Sequence, residues 1–295
     1  MKIIRITKFS LISSAIILLA TSFYSKPDIH LGGCYSDTYV DIASVDDYKI
    51  VTMSRENDRV KAKYFAARDF DGKSVYERYQ VWKRNNPGVI LLSSGTYTDN
   101  YFNPQGLTID NGVVVNQNLI RDKMDALVIV YATGGIAVTD LRQGDLSVNG
   151  IPRRLNIRNS PYDLDDFIEW AKVQEATIFQ THLLVYKNEI KVNPANSSRE
   201  KRERRFLAVG KGEDGKIVHM IIHNTVHKTL YEGTKSTLDF LNRQRDMENI
   251  IFMINLDTGA QDAFVLNNPD CTINNSIRGT IDPSKAVNLL AYYFK

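Results

Sequence analysis

Short apolar runs broken at regular intervals by tight-turn signals constrain this chain more than any other feature. The runs over 106–109 and 113–115 flank Asp110-Asn111-Gly112, a strong signal for a type I′ hairpin turn. The runs 183–186 and 190–192 flank Lys187-Asn188-Glu189, and 207–210 and 217–222 flank a turn containing Asp214-Gly215. Two-residue hairpins join only antiparallel strands. The continuous apolar runs 89–92, 126–131 and 250–254 read as buried central strands. Helical signals are fewer. Ser74-Val75-Tyr76-Glu77 is a capping box, after which Val75, Tyr79 and Trp82 share one helical face. A second helix is expected from Asp163, with Leu164, Phe167, Ile168 and Ala171 as its stripe; a third over 234–245; and a fourth over 283–292, with Pro283 in its first turn. The expected class is α+β, a mostly antiparallel sheet with about four flanking helices in a single domain.

Charge separates the start of the chain from the rest. Of 37 basic residues three, Lys2, Arg5 and Lys8, lie in the first 25, leaving 34 against 34 acidic ones in the body. A balanced body argues against a nucleic-acid partner, which needs a basic surface against phosphates. The apolar run 9–20 follows those three charges and ends in Ala20-Thr21-Ser22, the pattern of a cleavable export signal. Residues 1–25 are therefore read as an export signal or, uncleaved, as an N-terminal membrane anchor. The remainder, 26–295, is one domain of a protein that is periplasmic, secreted or tethered at its N-terminus. Leu31-Gly32-Gly33-Cys34 looks like a lipoprotein box, but Ser25-Lys26-Pro27-Asp28 separates it from the apolar run. Cys34 and Cys271 are the two thiols; in an exported protein they either pair or stay free.

Asp257 is the most informative position for chemistry. It follows the apolar run 250–254 through Asn255-Leu256 and leads into Thr258-Gly259-Ala260. A carboxylate at the exit of a buried strand has apolar walls that raise its pKa; the plainer reading is a turn cap. Asp-Thr-Gly also matches the aspartic-protease signature, but that chemistry shares a proton between two such carboxylates, and one copy is present. The charged run 197–205 precedes an apolar strand, and Arg204 and Arg205 are placed to grip a phosphate or carboxylate bidentately. Gly95, Tyr97 and Gly106 shape the backbone near strand ends. Asn224, Thr258 and Gly259 complete the candidate ligand contacts. His219 and His223 share strand parity but stand about 13 Å apart at roughly 3.3 Å per residue, too far for one metal ion. His227 is expected in the following loop. No metal or cofactor is called for.

The ordered set of these segments resembles the phosphodiester glycosidase family, to which the N-acetylglucosamine phosphodiester uncovering enzyme belongs. The family's Asn-x-Gly-x-Phe/Tyr is matched by Ser93-Ser94-Gly95-Thr96-Tyr97, and its Pro-x-Gly-Leu and hairpin by Pro104-Gln105-Gly106-Leu107 with Asp110-Asn111-Gly112. Gly134-Gly135-Ile136-Ala137-Val138 looks like its central glycine-bearing strand. Phe179-Gln180-Thr181-His182-Leu183 stands where the family has Gln-Ser-Gly-Pro. An arginine before a strand ending in Gly210 is matched by Arg205, one residue out of register. Asn255-Leu256-Asp257-Thr258-Gly259 matches Asn-Leu-Asp-Gly-Gly. The resemblance spans about 89–269. Departures are Ser93 for Asn, loss of most of Gln-Ser-Gly-Pro, and Thr258 for Gly.

The resemblance implies a hydrolase that cleaves a sugar–phosphate diester or related glycosidic bond. Asp257 would be its catalytic carboxylate, with Arg205 or Arg204 neutralising the phosphate and Gly95, Tyr97 and Gly259 lining the sugar pocket. The partner would be a carbohydrate or sugar phosphate. The substitutions leave open a descendant that binds glycans, or serves as a scaffold, without cleaving them.

Overall fold

The computed structural model describes residues 38–66, 72–195, 197–212, 214–243, 247, 249–267, 276–279 and 282–295. Residues 1–25, read as an export signal or anchor, Cys34 and Cys271 lie outside them. In chain order the elements begin β1 (Val40–Val45), β2 (Tyr48–Ser54), β3 (Val60–Phe65), α1 (Val75–Arg84), β4 (Val89–Ser94), β5 (Thr108–Asp110) and β6 (Val113–Asn116). They continue with β7 (Ala126–Val130), β8 (Ile136–Asp140), α2 (Pro161–Val173), β9 (Thr177–Thr181), β10 (Leu183–Tyr186) and β11 (Glu189–Ile190). The last third holds β12 (Arg202–Lys211), β13 (Ile217–Lys228), α3 (Leu230–Arg243), β14 (Asn249–Leu256), β15 (Ala263–Leu266), β16 (Ser276–Arg278) and β17 (Leu289–Phe294).

Among the described residues the strands form three antiparallel sheets. The first has order β1-β2-β13-β12-β14-β10-β11, the second β16-β15-β4-β17-β3 and the third β6-β5-β9-β7-β8. Their inner faces meet in one core where Tyr64 stacks on Phe179 at 4.4 Å and Leu207, Ile254, Phe264 and Leu290 are buried together. Each sheet then carries one helix on its outer face. The first packs on α3 through Phe206, Met253, Leu238 and Phe240. The second packs on α1 through Phe65, Leu92, Val75 and Tyr79, and the third on α2 through Ile109, Leu127, Phe167 and Ala171. The three buried runs foreseen as central strands are β4, β7 and β14, each paired on both edges.

The hairpins and caps follow local chemistry. Asn111 and Gly112 (φ 50° and 78°) and Lys187 and Asn188 (φ 52° and 64°) turn with the positive dihedrals of type I′. Ser74 Oγ accepts from Glu77 N–H while Glu77 Oε2 accepts from Ser74 N–H at 2.7 Å, so the capping box is reciprocal. A second box, Thr229 with Glu232, starts α3 four residues before the expected position. Ser160 caps α2 with Pro161 at its first position.

Among the described residues three helices form, where about four were expected. The segment read as a fourth helix over 283–292 is a single 3-10 turn, Pro283–Lys285, followed by β17, which runs between β4 and β3. Leu289, Leu290, Ala291 and Tyr292 are buried on both faces, and a short, uniformly apolar run carries no periodicity that separates helix from strand. His227 also differs from expectation. It lies within β13, exposed, rather than in a loop. Among the described residues no helix is long and apolar enough to cross a membrane.

Candidate active site

Strand β14 delivers Asn255 and Asp257 to one end of the first sheet, where the segment after β4 crosses it. The Asp257 N–H donates to Gly95 O at 2.8 Å, tying the two strand exits together. Asp257 is 5% exposed, and its Oδ1 accepts from the Gly259 N–H at 2.8 Å. The turn-cap reading of this residue is therefore correct as far as Oδ1 goes. No hydrogen bond from a described residue reaches Oδ2. Burial pushes the Asp257 pKa up and the charge of Asp262 adds to it, while the Gly259 N–H, Arg202 and Arg205 pull it down without prevailing.

Tyr97 faces the same end. Its hydroxyl meets Asn255 Nδ2 and its ring stands edge-on to His182, 5.2 Å between centroids. Burial holds the phenol well above its usual range, with Arg204 opposing and Asp257 adding. His182 Nδ1 lies 2.7 Å from Lys123 O, which fixes the proton there and leaves Nε2 as an acceptor. Thr258 Oγ1 donates to Glu203 O at 2.8 Å, binding the segment after Asp257 to β12.

Two of the three candidate glycines, Gly95 and Gly106, sit where a side chain would clash with the frame. A Cβ on Gly95 would lie 2.5 Å from Asn288 Oδ1 and 2.6 Å from Tyr64 Cε2. Gly106 (φ 77°) would place its Cβ 2.6 Å from Gln180 Oε1. That oxygen accepts from Leu107 and Ile120 N–H while Nε2 donates to two carbonyls, so Gln180 is a fully used buried strut. Gly106→Ala is expected to cost roughly 2 kcal/mol or more, from the left-handed backbone and the clash together. Urea unfolding measures it, and a loss under 0.5 kcal/mol, the range of a neutral surface change, would contradict the strut.

Arg204 and Arg205 lie inside β12, not at its entrance, and leave opposite faces. Arg204 stands across from Asn224, donates to Lys228 O and Glu200 O, and has its pKa lowered by burial. Asn224 Oδ1 accepts from Val226 N–H, holding a turn of its own strand. Arg205 is fully buried and points between the sheets. Asp262 takes it by both carboxylate oxygens, at 2.5 and 3.2 Å, its guanidinium lies 4.6 Å from the Phe264 ring centre, and it reaches Asp257 O at 3.4 Å. The expected anion clamp is thus closed by an internal carboxylate. Asp262 had no sequence signal beyond being an acid in an apolar stretch; it enters β15 beside Arg205 only through the packing of two sheets.

The two buried histidines serve this interior. His219 Nδ1 meets the Tyr292 hydroxyl at 3.0 Å, and His223 Nδ1 meets Arg205 Nη2 at 3.3 Å. Burial lowers both pKa values to about 3; for His223 the nearby Arg205 and Lys49 add to it. Between that value and the unfolded value near 6.5 only the unfolded chain binds these protons. Stability from this source is complete above pH 6.5 and falls by about 1.4 kcal/mol per pH unit per histidine as pH drops. Urea unfolding from pH 7 to 5 should show that slope, with His219→Phe removing about half. An unchanged slope in the variant would contradict the neutral buried imidazole.

No family model matches the chain, and no curated protein sequence matches it. Among solved structures it is similar to the zebrafish N-acetylglucosamine-1-phosphodiester alpha-N-acetylglucosaminidase catalytic domain auto-inhibited by its pro-peptide. That match has 16% identity, covers 87% of this chain and 82% of the other, and has a TM-score of 0.47. It is also similar to a hypothetical protein from Synechocystis, at 9% identity over 87% of this chain and 61% of the other, with a TM-score of 0.43. These are distant similarities of structure.

Proposed function

We propose that this protein is an exported hydrolase of sugar–phosphate diesters or related glycosidic bonds, with Asp257 as its catalytic carboxylate. The observation that carries the reading is the state of that side chain. It is a buried carboxyl with a raised pKa and one oxygen fixed by Gly259 N–H; Arg202 acts on its charge, and Arg204, Asp257 and Arg202 all act on Tyr97. A carboxyl that keeps its proton above the usual range is suited to protonate a leaving oxygen. Arg204 replaces Arg205 as the cation for a phosphate, since Asp262 occupies Arg205. Tyr97, Thr258 and Gly259 stay on the sugar side. Next to Tyr97, across His182, a cleft of about 520 Å³ is lined by Lys123, Arg158, Ser197 and Ser198, room for the leaving group.

A non-catalytic glycan-binding protein of the same fold is the second reading, and the closed Arg205–Asp262 pair favours it. The two are separated by offering nitrophenyl phosphodiesters and nitrophenyl glycosides of N-acetylglucosamine, glucose and mannose to the full chain. Turnover abolished by Asp257→Asn supports the hydrolase. Saccharide binding without turnover on any probe supports the second reading.

A further inference from the structure

Arg55 immediately follows β2, at the opposite end of the first sheet from Asp257. Its N–H donates to Ile217 O at 2.9 Å. Ile217 opens β13 and pairs with Lys211 of β12, which pairs in turn with Asn249 at the start of β14. Asp257 follows the far end of β14, so the length of that strand, about 25 Å at roughly 3.3 Å per residue, separates the two ends. The Arg55 side chain is 7% exposed. Its Nη2 donates to Asp58 Oδ1 at 2.8 Å and to Thr133 O at 3.2 Å. Its Nη1 is buried and has no hydrogen-bond partner among the described residues. A buried donor on a charged group is costly to leave unpaired.

The guanidinium lines a cavity of about 390 Å³, at the small end of the range for small-molecule sites. The buried side chains of His219 and Ile136 form its inner wall, with Ile217 beside them. His219 is neutral, its pKa lowered to about 3 by burial and then by the charge of Arg55. Gly135 also lines the cavity, and a Cβ there would stand 3.9 Å from Arg55 Nη2. On the solvent side lie Glu56, Asp58 and Lys216. Asp58 is taken up by Nη2, and Lys216 Nζ is shared by Glu56 at 2.7 Å and Asp214 at 3.1 Å. The charges at the mouth are therefore paired, while Nη1 is a cationic donor without a partner.

We infer that Arg55 Nη1 anchors a second small-molecule site, which takes a carboxylate carried on a short apolar tail. The carboxylate accepts from Nη1 in a charge-assisted bond, and the tail lies against Ile136 and Ile217. A singly charged group fits this lining. A phosphate dianion would bring two charges beside Glu56 and Asp58, and a neutral amide would bring none to Arg55. The site is independent of the hydrolase reading, because no residue of the Asp257 neighbourhood lines it.

The test titrates sodium butyrate into the full chain by calorimetry, at ionic strength held with sodium chloride, beside butyramide and inorganic phosphate. Butyrate should bind and raise the thermal midpoint, with butyramide and phosphate at least tenfold weaker. Arg55→Met should weaken butyrate by roughly 10–10²-fold. Gly135→Leu, which keeps Arg55 and extends a side chain into the cavity, should weaken it as much. Gly135→Ala, whose Cβ meets its neighbours at 3.6 Å and beyond, should bind as the wild type does. If Arg55→Met does not fold, Gly135→Leu decides. A wild type that binds butyrate no better than butyramide, or a Gly135→Leu that keeps full affinity, would show that Arg55 only braces the turn after β2. Phosphate binding as tight as butyrate would overturn the carboxylate assignment.

Discussion

Asp262→Ala should cost about 3–5 kcal/mol of stability, because it strands the charge of Arg205 in the protein interior. Arg205 has no exposed surface, and its remaining contacts are weaker: carbonyls of Asp257 and Ala263 at 3.4 and 3.3 Å, the neutral His223 Nδ1 at 3.3 Å and the face of Phe264. None of these neutralises a cation. For a chain of this size the loss corresponds to a midpoint lower by roughly 10 °C. Replacing both partners, Arg205→Met with Asp262→Leu, should recover most of it, since the buried charge disappears with its counter-charge. Thermal and urea unfolding of the two singles and the double complete the cycle. A single Asp262→Ala that loses less than about 1 kcal/mol, the scale of a surface pair, would show that the pair is solvated and that Arg205 remains open to a ligand.

The same pair shows where the sequence could be read and where it could not. Turn chemistry is local, so Asp110-Asn111-Gly112 named its own hairpin, and Ser74 with Glu77 named the start of α1. Uniform apolar runs were legible as strands when turns bounded them, as at β4 and β14. The same kind of run over 289–292 was misread as helix because Pro283 offered a plausible start. Asp257 was legible because its position at a strand exit is itself local information. Its partners were not. Asp262 meets Arg205 across the gap between two sheets, and Arg205 meets His223 across the β12–β13 pairing. Neither depends on spacing along the chain. Arg205 misled for a related reason. The charged run 197–205 read as preceding the strand, yet β12 begins at Arg202, which carries Arg205 inside the strand and turns it inward. Gly106 is the counterpart among small residues, a glycine required by Gln180 rather than by a ligand.

Asp257→Asn should lower kcat/KM on any diester that the wild type cleaves by roughly 10³-fold, the cost of removing a positioned proton donor. The substitution is chosen to leave the structure in place. Asparagine keeps an Oδ1 to accept the Gly259 N–H, and the backbone bond to Gly95 O does not involve the side chain. The unfolding midpoint should therefore hold or rise, because burial and Asp262 both penalise the ionised carboxylate. The pH profile gives a second, independent reading. If Asp257 must be protonated to act, wild-type kcat/KM falls as pH rises through its pKa, above the ordinary carboxylate range, and the residual rate of Asp257→Asn lacks that limb. A variant that folds, keeps the limb and keeps its rate would remove Asp257 from the chemistry and leave it as the cap of the turn that Gly259 closes.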